Sequence, residues 1–359
     1  MKWNWKAVLG IVISALLIWW VLSDVDLTEV WSEVRHAHWG YLFAAVAVAT
    51  SGFLVRALRW KLLLHPLKPG TTLHNRFAAV NIGFAANNLL PARVGEFARA
   101  WSIAKLERIP VTGSLGSLVV ERFLDALAVF SLMTVAILLP SFPGAATLGG
   151  QPLRMLLFFM VGALGAVLGG MLLLLLFPAF FLRVAHLFAR ILPDRAGTLL
   201  VEGLDGFIGG LIALRNPRLL LGAMAWSFGF WAWNAVSFWL AFLAFGIDQG
   251  YGTALFVQGI IALGVAVPSA PGFFGTFHAA AVVGLAEVYG VGESRTLAFA
   301  FGYHLGGFIP VTAMGLWYAG KLGVSMRELG EAEEAVDEEM DRDLDRPRGH
   351  LPDEPEEAS

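Results

Sequence analysis

The chain has 359 residues, of which 57% are hydrophobic and only 15% charged, with 40 glycines, 13 tryptophans and no cysteine. A soluble domain is nearer half apolar and a quarter charged, so this balance excludes an ordinary water-soluble enzyme, and the missing thiols exclude disulfides, thiolate catalysis and cysteine metal sites. The net charge of −3 hides two regions of opposite sign: residues 326–359 carry 14 acids and four arginines, which leaves 21 basic and 14 acidic residues elsewhere.

The apolar residues lie in long runs, and about 20 such residues are needed to cross the hydrocarbon of a bilayer. The first run, Ala7–Leu22, follows Lys2 and Lys6. A cleaved signal peptide is the rival reading, but no small-x-small site stands near Ser23 and Asp24 follows at once, so a retained span is expected. Asp24, Asp26, Glu29 and Glu33 then read as a short acidic loop, and a second span runs from Trp39 to Leu64. Arg56 and Arg59, near its end, read as side chains that snorkel to the interface. Residues 65–76 form a polar connection.

Phe77–Leu90 is too short and too polar for an ordinary span, with Asn81, Asn87 and Asn88 inside it. Pro91, Arg93, Gly95 and Glu96 break it, and a helical pattern resumes over Phe97–Ile109. Irregular backbone at membrane depth is tolerated only where protein or a wet cavity satisfies it, so a broken or re-entrant hairpin is expected here. Gly113–Leu139 is a full span, 140–153 a loop without charge, and Met155–Phe177 another span. Phe180–Asn216, with Arg183, Arg190, Arg195 and Arg215, reads as interfacial and amphipathic. Leu219–Phe245 is a span. Tyr251–Val267 and Phe274–Tyr289 flank a second break at Pro268, Ser269, Ala270, Pro271 and Gly272, and Thr296–Leu316 is the last span.

The expected fold is therefore an all-α polytopic membrane protein of six full spans plus two re-entrant or broken hairpins, about eight spans by hydropathy. Its transmembrane domain is 1–322, with candidate halves 1–140 and 153–322. Residues 323–359 read as an acidic, disordered, cytoplasmic tail whose first part, Met326–Leu344, is also compatible with a helix extending outward. Basic short loops favour the cytoplasm and put both termini there, in a prokaryotic cytoplasmic membrane. Pro91, Gly95 and Phe97 recur as Pro271, Gly275 and Phe277 at one offset of 180 residues, a weak match by itself in a chain rich in Gly and Phe. Broken segments at matching places in two inverted halves point to a transporter's binding site, because hairpin tips expose helix ends.

Ionisable groups at bilayer depth cost roughly 2.5–3.5 kcal/mol each on insertion scales, so they have a partner or a task. Arg93, Glu96 and Arg99 surround the first break, where Glu96 and Arg99 are spaced to share a helix face. Glu121, Arg122 and Asp125 lie in the Gly113–Leu139 span. Glu121 and Asp125 stand one turn apart and repel unless a cation, a proton or an arginine sits between them; Arg93 or Arg99 can serve. The bland readings are a solvated hairpin base for the first set and a structural salt-bridge cluster for the second. Asn87 and Asn88 are either helix caps or binding groups, and His278 and His304 either satisfied core histidines or ligands. The substrate-binding candidates are Asn88, Arg93, Glu96, Arg99, Glu121, Arg122, Asp125, Ser269, Thr276 and His304. The hairpin tips are Pro91, Gly95, Pro268, Pro271, Gly272 and Gly275.

At Arg56-Ala57-Leu58-Arg59-Trp60, Asn88-Leu89-Leu90-Pro91-Ala92-Arg93-Val94-Gly95-Glu96 with Arg99, Glu121-Arg122-Phe123-Leu124-Asp125, and Pro268-Ser269-Ala270-Pro271-Gly272-Phe273-Phe274-Gly275, the chain resembles the flippase-like family named for the transmembrane region of lysylphosphatidylglycerol synthase. The likeness covers about residues 5–322 and is most specific at the Asn-to-Glu96 and Glu-Arg-x-x-Asp motifs. The resemblance implies a helical membrane domain that moves or binds lipids. In the named synthase it flips aminoacylated phospholipid made by a separate cytosolic aminoacyltransferase domain. No such domain is expected after Lys321, so the transferase activity is not carried over. An Arg is expected near Tyr303-His304 and His304 stands there instead; if it meets the ligand, its charge depends on pH.

No H-E-x-x-H, P-loop or G-x-S-x-G motif is present. Gly162–Gly170 lies in an apolar run and suits close helix packing rather than phosphate. No cofactor, no metal site and no nucleic-acid partner is expected, and the basic residues at membrane borders suit membrane lipids. The leading expectation is a transporter or flippase for a phospholipid or isoprenoid-linked lipid, with Arg93 and Arg99 on an anionic headgroup and Glu96, Glu121 and Asp125 on its cationic part. The alternatives are an accessory subunit for a lipid-modifying or glycosyl-transferring enzyme and an intramembrane enzyme with Glu121 and Asp125 as its acid/base pair.

Overall fold

The computed structural model describes residues 5–23, 25–90, 93–144, 177–192, 216–267 and 269–330, with isolated positions between 147 and 176 and between 197 and 204. Its elements are α1 (Trp5–Leu22), α2 (Leu27–His36), α3 (Trp39–Leu64), α4 (Leu73–Leu89), α5 (Gly95–Glu107), α6 (Val111–Leu138), α7 (Pro178–Ala189), α8 (Pro217–Ala244), α9 (Tyr251–Gly264), α10 (Thr276–Ala281), α11 (Glu293–Lys321) and α12 (Met326–Gly330). A 3-10 turn at Pro271–Phe273 precedes α10, which widens into a π-helical stretch at Val282–Glu287. A two-residue antiparallel ladder pairs Thr147–Leu148 with Gln151–Pro152 inside the expected 140–153 loop.

Three of these helices, α3, α8 and α11, are long and apolar enough to cross a membrane, or four spans result if the bent pair α1–α2 counts as one. This supports an α-helical membrane protein but not the expected count of six full spans plus two hairpins. The reason is local. Residues Val8–Leu22 and Leu27–His36 meet at 85°. The 28-residue α6 is long enough at about 42 Å, but carries Glu121, Arg122 and Asp125. Most of the expected Met155–Phe177 span and most of the expected 180–216 segment lie outside the described residues, as do Pro91, Pro268 and the tail beyond 330.

The acidic loop at 24–34 is also corrected, because most of it is helix. The Asp26 carboxylate accepts a hydrogen bond from the Thr28 N–H at 2.8 Å, which caps α2. Glu29 in the first turn and Arg35 and His36 in the last complement its dipole. Thr72 caps α4 in the same way, accepting from Asn75 N–H at 3.2 Å, and Asn216 caps α8 with Pro217 at its first position. The outward extension expected over Met326–Leu344 does not continue α11: Gly323 at φ 66° turns the chain before α12.

Along α6, residues from Val111 to Leu124 pack in one apolar core with Trp60, Leu64 and Ile103. Residues from Met133 onward pack in a second with Phe242, Phe256 and Phe299. Glu121 and Asp125 therefore stand where the two cores meet. Large apolar side chains such as Trp19, Phe43 and Leu138 are at least two-thirds exposed, as a lipid-facing surface requires.

Candidate functional site

The two breaks meet. At the first, Asn87 Oδ1 accepts a hydrogen bond from the Gly95 N–H at 2.9 Å and so caps α5, the helix after the break. Arg93 takes a left-handed φ of 59° and Phe273, in the second break, one of 61°. The Arg93 guanidinium donates to the Ala266 carbonyl at 2.9 Å and lies 5.4 Å from the centroid of the Phe273 ring. At the second break Gly272 and Gly275 have φ of 71° and 90°. A side chain on Gly275 would meet the Ser14 carbonyl oxygen at 2.7 Å, so only glycine lets this turn rest on α1. Ser14 Oγ in turn accepts from the Ala270 N–H at 2.7 Å.

Behind the first break, α3, α5 and α6 bring seven charged side chains together. Arg99 makes a two-pronged pair with Glu121, at 2.6 and 2.8 Å, and its guanidinium lies 4.0 Å from the Trp60 ring centroid. Arg59 donates to Asp125 and to Ser227 Oγ, the latter at 2.8 Å, and lies 3.1 Å from Glu121. Arg122 donates to Glu121 at 2.6 Å and reaches Glu96 at 3.9 Å. Arg56 donates from Nη1 to Asp125 at 3.2 Å, and the Trp231 indole N–H donates to the same carboxylate at 3.1 Å. Arg59, Arg99 and Glu121 are fully or almost fully buried.

This geometry answers the question left by the i, i+4 carboxylates: arginines separate them. Arg56, Arg59 and Arg122 each reach both carboxylates, whereas Arg99 compensates Glu121 alone and Arg93 faces the second break. The expectation that Arg56 and Arg59 snorkel is corrected. Both are buried in the ionic cluster, because Asp125 and Glu121 stand opposite them on α6 and a paired guanidinium costs less inside than an unpaired carboxylate. Glu96 does not pair with Arg99 on its own helix; its described ion partner is Arg122.

A cavity of about 240 Å³ opens between α3, α4, α8, α9, α10 and α11. Its wall is largely aromatic and aliphatic, including Phe84, Phe230, Phe238, Phe273, Phe277 and Phe308. The polar side chains on it are Arg56, Asn88, Asn234, Gln258, Tyr303 and His304, with the Trp231 indole beside them. Asn88 donates to Thr312 Oγ1 at 2.8 Å, which joins α4 to α11. Asn234 donates to Gln258 at 3.0 Å. His304 stacks on Phe277 with ring centroids 4.4 Å apart, and its Nδ1 has no hydrogen-bond partner among the described residues. His278 lies behind it, fully buried against Phe301.

Of the substrate-binding candidates, Asn88 and His304 line this cavity. Arg93, Glu96, Arg99, Glu121, Arg122, Asp125, Ser269 and Thr276 do not. Thr276 Oγ1 instead donates back to the Phe273 carbonyl at 3.1 Å, and Ser269 is buried with its hydroxyl unpartnered among the described residues. Sequence reasoning missed Asn234 and Gln258. The available signal was an amide side chain inside each of two otherwise apolar runs. It also put Arg56 at the interface although Arg56 and Arg59 share a helix face.

The model of the lysylphosphatidylglycerol synthase TM region matches residues 7–315. A UPF0104 membrane protein of Methanothermobacter thermautotrophicus is 25% identical over 87% of this chain and 92% of its own length. Another UPF0104 membrane protein, from Methanocaldococcus jannaschii, is 27% identical over 37% of this chain and 40% of its own. Glycosyltransferase AglD of Haloferax volcanii is 23% identical over 82% of this chain and 50% of its own. The chain thus spans half or less of the length of two of these relatives. No solved structure matches it. With residues 7–315 matched and a helical body of apolar spans around them, the chain belongs to the lysylphosphatidylglycerol synthase TM region family.

Proposed function

We propose that this protein takes the headgroup of a membrane amphiphile, a phospholipid or an isoprenoid-linked lipid, into its central cavity and moves it between leaflets. The observation that carries this reading is the cavity itself: an apolar, aromatic chamber that reaches Phe273 of the second break, with the amides of Asn88, Asn234 and Gln258 and the Arg56 guanidinium in its lining. Such a chamber suits an acyl or prenyl chain along the rings and a polar head at the amides. In this reading the breaks are paired re-entrant segments of an inverted repeat. The matching left-handed residues Arg93 and Phe273, 180 positions apart, support it. Both termini face the cytoplasm, and no enzymatic step is part of the function.

The test is translocation of a fluorescent phospholipid in proteoliposomes. Ala262→Phe, which fills the cavity from α9, is expected to lower the rate at least fivefold while the protein elutes as a single folded species. Unchanged translocation in that variant, or none by the unmodified protein, removes the proposal.

A second reading has one specific support. The likeness to a relative named as a glycosyltransferase covers most of this chain but half of that protein. An accessory role beside a glycosyl-transferring or lipid-modifying enzyme fits that. Co-purification with such an enzyme, together with no translocation by the protein alone, favours it.

A further inference from the structure

Arg56, Arg59, Arg99, Glu121 and Asp125 make up the buried cluster, and Arg122 and Glu96 at its more exposed edge add a fourth arginine and a third carboxylate. Giving each carboxylate one arginine joins Arg99 to Glu121, Arg59 to Asp125 and Arg122 to Glu96. Arg56 is left without a carboxylate of its own. Its Nη1 shares Asp125 with Arg59 and lies 3.6 Å from Glu121, which Arg99 already holds, while Nε and Nη2 have no hydrogen-bond acceptor among the described residues. Neither nitrogen is sealed away, for Arg56 is the one arginine of the cluster that lines the cavity. The Phe230 and Phe84 rings, 4.0 and 5.4 Å from its guanidinium carbon, hold it in place. Among the described residues no carboxylate lines the cavity.

We infer that this cavity selects an anionic, phosphate-type headgroup, with Arg56 as its charged contact and the amide groups of Asn88, Asn234 and Gln258 as neutral donors. The inference rests on the amphiphile reading above and narrows it. A surplus guanidinium in a low-dielectric wall is costly until an anion completes it, and a phosphate oxygen matches the geometry of its two free donors. The three amides each donate one N–H to protein and keep a second. A cationic head finds no compensating charge here. The expected arrangement with Glu121 and Asp125 on a cationic part is thereby replaced, since arginines occupy both.

The test uses the full chain in detergent and native mass spectrometry with four probes. These are dioleoyl phosphatidic acid, dioleoyl phosphatidylcholine, dioleoyl trimethylammonium propane and inorganic phosphate. Phosphatidic acid is expected to bind at least tenfold tighter than the cationic lipid with the same chains, and Arg56→Gln to remove most of that preference. Should Arg56→Gln fold poorly, Asn234→Asp decides: it puts a carboxylate on the wall outside the arginine cluster, and is expected to weaken phosphatidic acid and strengthen the cationic lipid. Equal or tighter binding of the cationic or zwitterionic lipid, or a preference unmoved in the folded variants, overturns the inference. Binding of inorganic phosphate with no dioleoyl lipid bound keeps the anion subsite and overturns the amphiphile reading instead.

Discussion

Arg93 and Phe273 stand 180 positions apart, share a left-handed backbone at φ 59° and 61°, and touch, guanidinium carbon to ring centroid at 5.4 Å. A left-handed φ costs a residue with a side chain about 1–2 kcal/mol, so two such residues in contact mark a place where the fold holds both tips against their local preference. Glycine removes that cost. Arg93→Gly is therefore expected to be about 1 kcal/mol more stable than Arg93→Ala, since both lose the bond to the Ala266 carbonyl and only glycine tolerates the turn. Denaturation of the two variants in the same detergent checks it; equal midpoints refute it.

Glu121 receives Arg99 and Arg122 at 2.6 Å each, with Arg59 at 3.1 Å. Removing its charge leaves buried guanidinium groups without compensation, and breaking a buried pair costs about 3–5 kcal/mol. Glu121→Gln is expected to lower the thermal midpoint in detergent far more than Lys61→Gln, on the exposed rim of α3. A double-mutant cycle with Arg99→Met should recover part of the loss, because it removes one of the guanidinium groups that Glu121→Gln leaves uncompensated. A fully additive cycle counts against the pairing.

Asn88 and Thr312 tie α4 to α11 beside the cavity. The chain has no native cysteine, so Asn88→Cys with Thr312→Cys gives a single defined pair. Joining them with a short thiol cross-linker is expected to stop lipid translocation in proteoliposomes, and reductive cleavage of a disulfide-containing linker to restore it. Full activity in completely cross-linked protein means that these helices do not part during the cycle.

Glu107, at the end of α5, accepts from Lys68 Nζ at 2.7 Å, the Thr72 N–H at 2.9 Å and Asn75 Nδ2 at 2.7 Å. Burial pushes this carboxyl up, but the bonds from Lys68, Thr72 and Asn75 outweigh it and hold it below the ordinary carboxylate value. Its contribution to stability is then fully present above that ordinary value, about 4.3, and is lost as pH falls through the lowered folded value. Glu107→Gln is expected to cost about 1–3 kcal/mol at pH 7 and to flatten the acid dependence of the midpoint. An unchanged slope between pH 5 and 3 contradicts the assignment.

Legible in the sequence were the helical membrane character of this protein, the places of α3, α8 and α11, and the breaks before α5 and α10. Those features follow from run length, proline, glycine and local charge, which act within a few residues. The sequence also made the problem of Glu121 and Asp125 visible, because two carboxylates one helical turn apart need compensation wherever they are. What it did not determine is who compensates them: Arg59 lies 66 residues from Asp125 and Arg99 22 from Glu121, distances that only packing closes. The same holds for the cavity. Asn88, Asn234, Gln258 and His304 come from four helices, and no local pattern says that they line one cavity. The acidic stretch after Asp24 was misjudged because an N-cap and a short amphipathic helix look like a loop until Val30 has a core to bury against. Tertiary structure decided these points because a side chain's charge balance and burial are properties of its neighbours in space, and its neighbours in the chain fix only the helix it rides on.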